Sequence, residues 1–136
     1  MLLHSFNNLE KGNIGVAWKG YLESVYVYND LGKDLPPEGY VLASSLCIAA
    51  LKKGNEKVPC RLFRYGDSES TTVTEHNQTL DESISYLERA NVSGAFDKLS
   101  IKKLSHCYQT SDHDQLDDCT TLGIELIFPY FQLTGK

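Results

Sequence analysis

The richest cluster of reactive side chains lies between His106 and Cys119, in HCYQTSDHDQLDDC. Cys107, His113 and Cys119 follow one another at intervals of six, with Asp112, Asp114, Asp117 and Asp118 among them. Thiolates and imidazole in a loop are ligands that Zn²⁺ accepts. A tetrahedral zinc site is normally seeded by a close Cys-x2-4-Cys or His-x3-5-His pair, and this stretch has neither. It also lacks the position-six glycine and position-twelve glutamate of a calcium-binding EF-hand loop. The spacing therefore predicts a solvated acidic loop flanked by two cysteines that face each other or the core, and no metal ligand is assigned.

Thiol catalysis would need a thiolate beside a base. His106 adjoins Cys107, but neighbours on a strand point to opposite faces. His76 and His113 are the other candidate bases, and nothing in the spacing selects one. The acidic pairs Asp81-Glu82 and Asp117-Asp118 have ordinary explanations as helix-start and loop charges. No glycine-rich phosphate loop or Gly-x-Ser-x-Gly elbow is present. No catalytic residue and no cofactor is implied.

The aromatic residues point to binding instead. The chain has 8 tyrosines, and Trp18, Tyr21, Tyr26 and Tyr28 crowd into one short stretch. Tyrosine suits a surface that is apolar on one side and wet on the other, as at interfaces and ligand pockets. Tyr21, Glu23, Tyr26, Tyr28, Phe63 and Tyr65, with Trp18 directed to the core, are the candidate ligand or partner surface. Tyr130 and Phe131 are possible additions. Two readings follow. In the first, a small acidic binding protein without catalysis uses an aromatic face against another protein. That partner is a second copy of the chain, giving a homodimer, or a basic protein neutralised by an inhibitor or immunity-type domain. In the second, a pocket lined by Trp18, Tyr26, Tyr28 and Phe63, with a carboxylate such as Glu23, holds a cationic or aromatic small molecule. A concave apolar cavity would favour the second reading, and a flat aromatic patch the first.

The elements that must position these residues are organised around Pro36 to Gly54. Two prolines and Glu38 open this segment, Lys52, Lys53 and Gly54 close it, and Tyr40 to Leu51 are apolar or small nearly all the way round. That punctuation predicts a helix buried on more than one side, on which the rest of the fold packs. Before it, residues 1–13 read as a loosely attached lead-in. Alternation at Val16, Trp18, Leu22, Tyr26 and Tyr28 predicts a strand or hairpin bent near Lys19-Gly20. Asn29 to Gly32 reads as a turn.

After the helix, Lys57–Tyr65 and Ser70–His76 read as a hairpin, with Pro59 placing the first strand at an edge. Thr79 to Glu82 reads as a capping box for a helix reaching about Ala90, with Leu80, Ile84, Leu87 and Tyr86 on its buried side and Asn91 as terminator. Residues 96–109 satisfy helix and strand periodicity alike, and Ile101–Gln109 is read as strand. Thr121–Leu133 reads as the strongest strand, broken or bulged at Pro129. The expected architecture is α+β, with two helices packed on one face of a mostly antiparallel sheet. This is a two-layer sandwich of ferredoxin-like or duplicated β-α-β-β plan, forming one domain from residue 14 to 136.

Composition narrows the partners. At 136 residues with 41% hydrophobic and 23% charged residues, the chain is an ordinary globular length. Its net charge of -5 and its pI near 5.3 come with no basic run, which argues against nucleic acid. No apolar run reaches the roughly 20 residues needed to span a bilayer. The opening MLLHSFNNLEKG lacks the pattern of a secretory signal. Cys47, Cys60, Cys107 and Cys119 are accordingly expected as free buried thiols of a cytoplasmic protein.

Overall fold

Residues 40–50 are small or apolar on every side of a helical wheel, and every one of them is buried. They form the middle of α3 (Pro37–Lys53). Pro37 occupies the first helical position, where its missing N–H does no harm, and Glu38 lies in the first turn. In the computed structural model, which describes residues 2–53, 76–92, 94, 96–110 and 115–134, α3 touches α1, α2, α4 and α6. The side chains of residues 53, 76–82, 92 and 132–134 are outside that description. The central helix expected from the sequence is therefore present and organises the packing.

The α+β expectation is overturned. The described elements are α1 (Leu2–Glu10), α2 (Ile14–Asp30), α3, α4 (His76–Val92), α5 (Lys98–Thr110) and α6 (Leu116–Thr134), with no strand among the described residues. Where a strand or hairpin was expected over residues 14–28, α2 buries Ile14, Ala17, Trp18, Tyr21, Ser24 and Val25. Those residues recur every three or four positions, and the apparent alternation of Val16, Trp18, Leu22, Tyr26 and Tyr28 was the weaker period. Residues 101–109, read as strand, are helical because Ile101, Leu104 and Tyr108 form the buried stripe of α5. The segment 121–133 lies within α6, where Leu116, Cys119, Gly123, Ile127 and Phe131 are buried at helical spacing. A continuous apolar run does not by itself separate a buried strand from a buried helix. Pro129 lies inside α6 and removes one rung of its hydrogen bonding without ending it.

Residues 2–10 are also different from the expected lead-in. They form α1, whose Leu2, Phe6 and Leu9 enter the core. Buried Ser5 donates its hydroxyl to the Ala17 carbonyl at 2.5 Å, and a side chain at Gly20 would meet Ser5 Cβ at 3.5 Å. Small residues on both helices thus let α1 and α2 approach closely. Two glycines with positive φ close the helix ends that make this possible: Gly12 at 81° and Gly32 at 68°. Asn13 N–H reaches back to Asn8 O at 2.9 Å, and Lys33 N–H to Tyr28 O at 2.9 Å, as in a Schellman closure.

Helix α4 begins at His76, so Thr79 to Glu82 lie inside it and do not cap its start. Its Tyr86 and Leu87 are buried as expected, while Ile84 is half-buried. Of the expected hairpin, Lys57–Tyr65 and residues 70–75 lie outside the described residues.

Four of the tyrosines, which the sequence suggested for a binding surface or left unassigned, are taken up by the helical core. Tyr21, Tyr40, Tyr86 and Tyr108 are buried. Tyr40 donates its hydroxyl to Asp34 Oδ1, and the Tyr108 hydroxyl lies 3.2 Å from Ser44 Oγ. Burial pushes Tyr108 from 10.0 up to about 12, opposed by the neighbouring Ser44 hydroxyl. Burial, then the Asp34 hydrogen bond and charge, push Tyr40 to about 12, with Arg89 opposing. A raised phenol keeps its proton in the folded state where the unfolded chain has already lost it. Stability from these groups is full below pH 10 and is lost as pH rises toward about 12. Cooperative unfolding is therefore expected in that window, with phenolate absorbance and helical circular dichroism changing together. Tyr108→Phe should shift the transition to higher pH. Phenolate formation complete near pH 10 without loss of helix would contradict this.

Candidate functional site

One end of the molecule is concave. Leu2 and Leu3 of α1, Val27 and Tyr28 of α2, and Phe131 of α6 wall a cleft of about 460 Å³. Pro36 and Leu31, from the connection between α2 and α3, complete its mouth. Each wall follows from local packing. Leu2 and Leu3 are brought here by the Ser5–Gly20 crossing of α1 on α2. Phe131 is fixed by stacking on Phe6, with ring centroids 4.8 Å apart. The closure at Gly32 turns the chain so that Leu31 and Pro36 stand beside α2.

The cleft has few polar groups. Ser24 Oγ donates to the Gly20 carbonyl at 3.0 Å, so its proton is already committed. Glu38 is the one carboxylate among the lining residues. It sits in the first turn of α3, at the positive end of the helix dipole. Leu31 is 63% exposed and Val27 41% exposed, so both present apolar surface to solvent beside the cleft. Chemically the arrangement offers apolar contact, one aromatic ring and one negative charge.

The residues proposed from the sequence do not assemble as one surface. Trp18 and Tyr21 are core residues packed on each other, ring centroids 5.1 Å apart. Glu23 and Tyr26 are exposed on the outward side of α2. Tyr28 alone reaches the cleft. Phe63 and Tyr65 lie outside the described residues. Of the two further aromatics, Phe131 lines the cleft and Tyr130 packs on Phe96 at 4.7 Å. Leu2, Leu3 and Leu31 were missed. The spacing of Leu2, Phe6 and Leu9 at i, i+4 and i+7 was the available signal that the first residues form a packed helix.

The cysteine cluster resolves differently from the free thiols expected. Cys107 and Cys119 form a disulfide with Cα atoms 5.7 Å apart, linking α5 to α6. Cys47 is also disulfide-bonded, and no free cysteine occurs among the described residues. The two cysteines do face each other, as the sequence suggested. Once bonded, their sulfurs serve neither as thiolate ligands nor as nucleophiles. His113 and Asp112 lie outside the described residues, while Asp117 and Asp118 occupy the first turn of α6 rather than a loop. Among the described residues no helix is long and apolar enough to cross a membrane. No protein-family model, no curated protein and no solved structure matches the chain.

Proposed function

We propose that this chain is a non-catalytic binding protein that holds a small apolar or aromatic molecule bearing a positive charge. The observation that carries the reading is the cleft at the α1–α2–α6 end, with exposed Leu31 and Val27 at its mouth and Glu38 as its carboxylate. Its volume of about 460 Å³ falls in the usual range for small-molecule sites. A cation is favoured because Glu38 and the net charge of -5 act in the same sense.

The test is a pair of fluorescent aromatic probes of equal size, one with a quaternary ammonium group and one neutral. The cationic probe should bind more tightly, and Glu38→Gln should reduce that preference by about tenfold, equivalent to roughly 1.4 kcal/mol. Val27→Arg, at an exposed position, should abolish binding with the thermal melt unchanged. Equal affinity for both probes in wild type and Glu38→Gln would remove the cation from the reading. Binding undisturbed by Val27→Arg would remove the cleft.

A second reading keeps a protein partner. Val16, Tyr26 and Val27 are exposed along α2, interspersed with Glu23 and Asp30. This mixture suits the rim of a contact with a second copy or with a basic protein. A concentration-dependent mass in solution that Val16→Glu abolishes would support it.

The cytoplasmic location expected from the sequence rested on the lack of a secretory-signal pattern in its opening residues, and free thiols were expected to follow from it. The Cys107–Cys119 bond and the bonded state of Cys47 support maturation in an oxidising compartment instead.

A further inference from the structure

A second cleft, of about 490 Å³, lies between α4 and α5. Ile84 and Leu87 of α4 and Ile101 of α5 supply its apolar lining, and Leu87 and Ile101 are buried. Its charged lining is unequal, with Lys98, Lys102 and His106 on α5 against Glu88 on α4. The three basic residues follow one another at intervals of four. They therefore form one row along α5, about 12 Å from first to last at 1.5 Å per residue. The Cys107–Cys119 disulfide, next to His106, fixes the helix that carries this row to α6.

Like charges four residues apart on a helix repel each other. Nothing on α5 offsets them here. No acidic residue stands three or four positions from Lys98 or Lys102, and none lies in the first turn of α5. Asp97, just before the helix, accepts the Ser100 hydroxyl at 3.3 Å. Ser100 in turn lines the groove on the α6 side of α5, with Leu122 and Leu126. Glu88 is thus the one carboxylate lining the α4–α5 cleft, against two lysines and a histidine. The net charge of -5 opposes an anion at long range. Salt screens that field over about 8 Å at physiological ionic strength, so the groups lining the cleft decide which charge it accepts.

We propose that the α4–α5 cleft binds a small amphipathic carboxylate. Its hydrocarbon body rests on Leu87 and Ile101, and its carboxylate meets Lys98 and Lys102. Glu88 repels the same group and weakens the site. This chemistry is opposite in sign to that of the α1–α2–α6 cleft, and the inference is independent of what that cleft holds.

The test uses the full, disulfide-bonded chain and two probes of nearly equal size, naphthoate and the neutral naphthamide, in methyl-resolved magnetic resonance titrations. Naphthoate should bind more tightly and shift the methyls of Ile84, Leu87 and Ile101. Exposed ion pairs contribute modestly, so Lys98→Gln and Lys102→Gln should each weaken naphthoate about threefold and leave naphthamide unchanged. The double substitution should remove the preference for the anion, and added salt should narrow it in wild type. Glu88→Gln should strengthen naphthoate, a gain that damage to the fold would not produce. Equal affinity of the two probes in wild type, or a preference that survives the double substitution, would overturn the proposal. So would naphthoate shifts centred on Leu2, Leu3, Val27 and Leu31, which line the other cleft, or no shifts at all.

Discussion

Replacing Cys107 and Cys119 together by alanine is expected to destabilise the protein by about 3 kcal/mol. The bond closes a loop with a sequence separation of 12, and the unfolded chain regains that loop's freedom when the bond is removed. Buried Cys119 adds a packing loss, and half-buried Cys107 a smaller one. For a chain of this length the change corresponds to a melting temperature lower by roughly 10 °C. Thermal melts of the double alanine variant and wild type, followed by circular dichroism, provide the check. Reducing agent should lower the wild-type melt further, because the bond at Cys47 is then opened as well. A double variant melting within about 2 °C of wild type would mean that α5 and α6 are held together without the bond.

The second large effect is at the crossing of α3 and α6. Gly123 is buried in α6, and a Cβ built there would collide with the Ser45 hydroxyl. Ser45 Cβ would lie 3.4 Å away and Leu104 Cδ2 3.8 Å away. Glycine inside a helix costs about 1 kcal/mol relative to alanine, so on propensity alone Gly123→Ala should stabilise. Here close packing decides the sign, and the variant is expected to lose roughly 1–3 kcal/mol. Gly123→Leu should prevent folding or lose more. Ser45 supplies the control. Its Oγ is buried and makes no close hydrogen bond, although it lies near enough to the Tyr108 hydroxyl to oppose the rise of that phenol, so Ser45→Ala is expected to change stability by less than about 1 kcal/mol. With the hydroxyl gone, Ser45→Ala should recover most of the loss caused by Gly123→Ala. The two substitutions then couple by at least about 1 kcal/mol in urea melts. Strictly additive effects would show that the helices do not meet at these residues.

These two contacts also show what was legible in the sequence. Helix α3 was readable because its punctuation is local: prolines and Glu38 at the start, lysines at the end, small residues between. A helix with no polar face must be buried all round, so its central place followed as well. Helices α2 and α6 were misread because both are rich in aromatic and β-branched residues, whose strand preference yields to tertiary packing. In α2 the decisive residues were Ala17, Gly20 and Ser24. Their small size carries no hydrophobic signal, yet it lets α1 approach. In α6, Gly123 has the same role toward α3, and nothing in its neighbours announces it. The disulfide was half legible: Cys107 and Cys119 were expected to face each other or the core, but the bond itself was not foreseen. Of the cleft, Tyr28 was named for its aromatic ring. Glu38 was seen only as a helix-start charge, and Leu2 and Leu3 were lost with the supposed lead-in. A site assembled from the ends of four helices has no local motif, so its members appear only when the packing is known.

The most direct test of the cleft as the binding site is a methyl-resolved magnetic resonance titration with the quaternary ammonium aromatic probe. Shifts are expected to concentrate on Leu2, Leu3, Val27 and Leu31, while the buried methyls of Val41, Leu46 and Ile48 stay in place. Shifts centred on another face, or none at probe concentrations that saturate fluorescence, would contradict it.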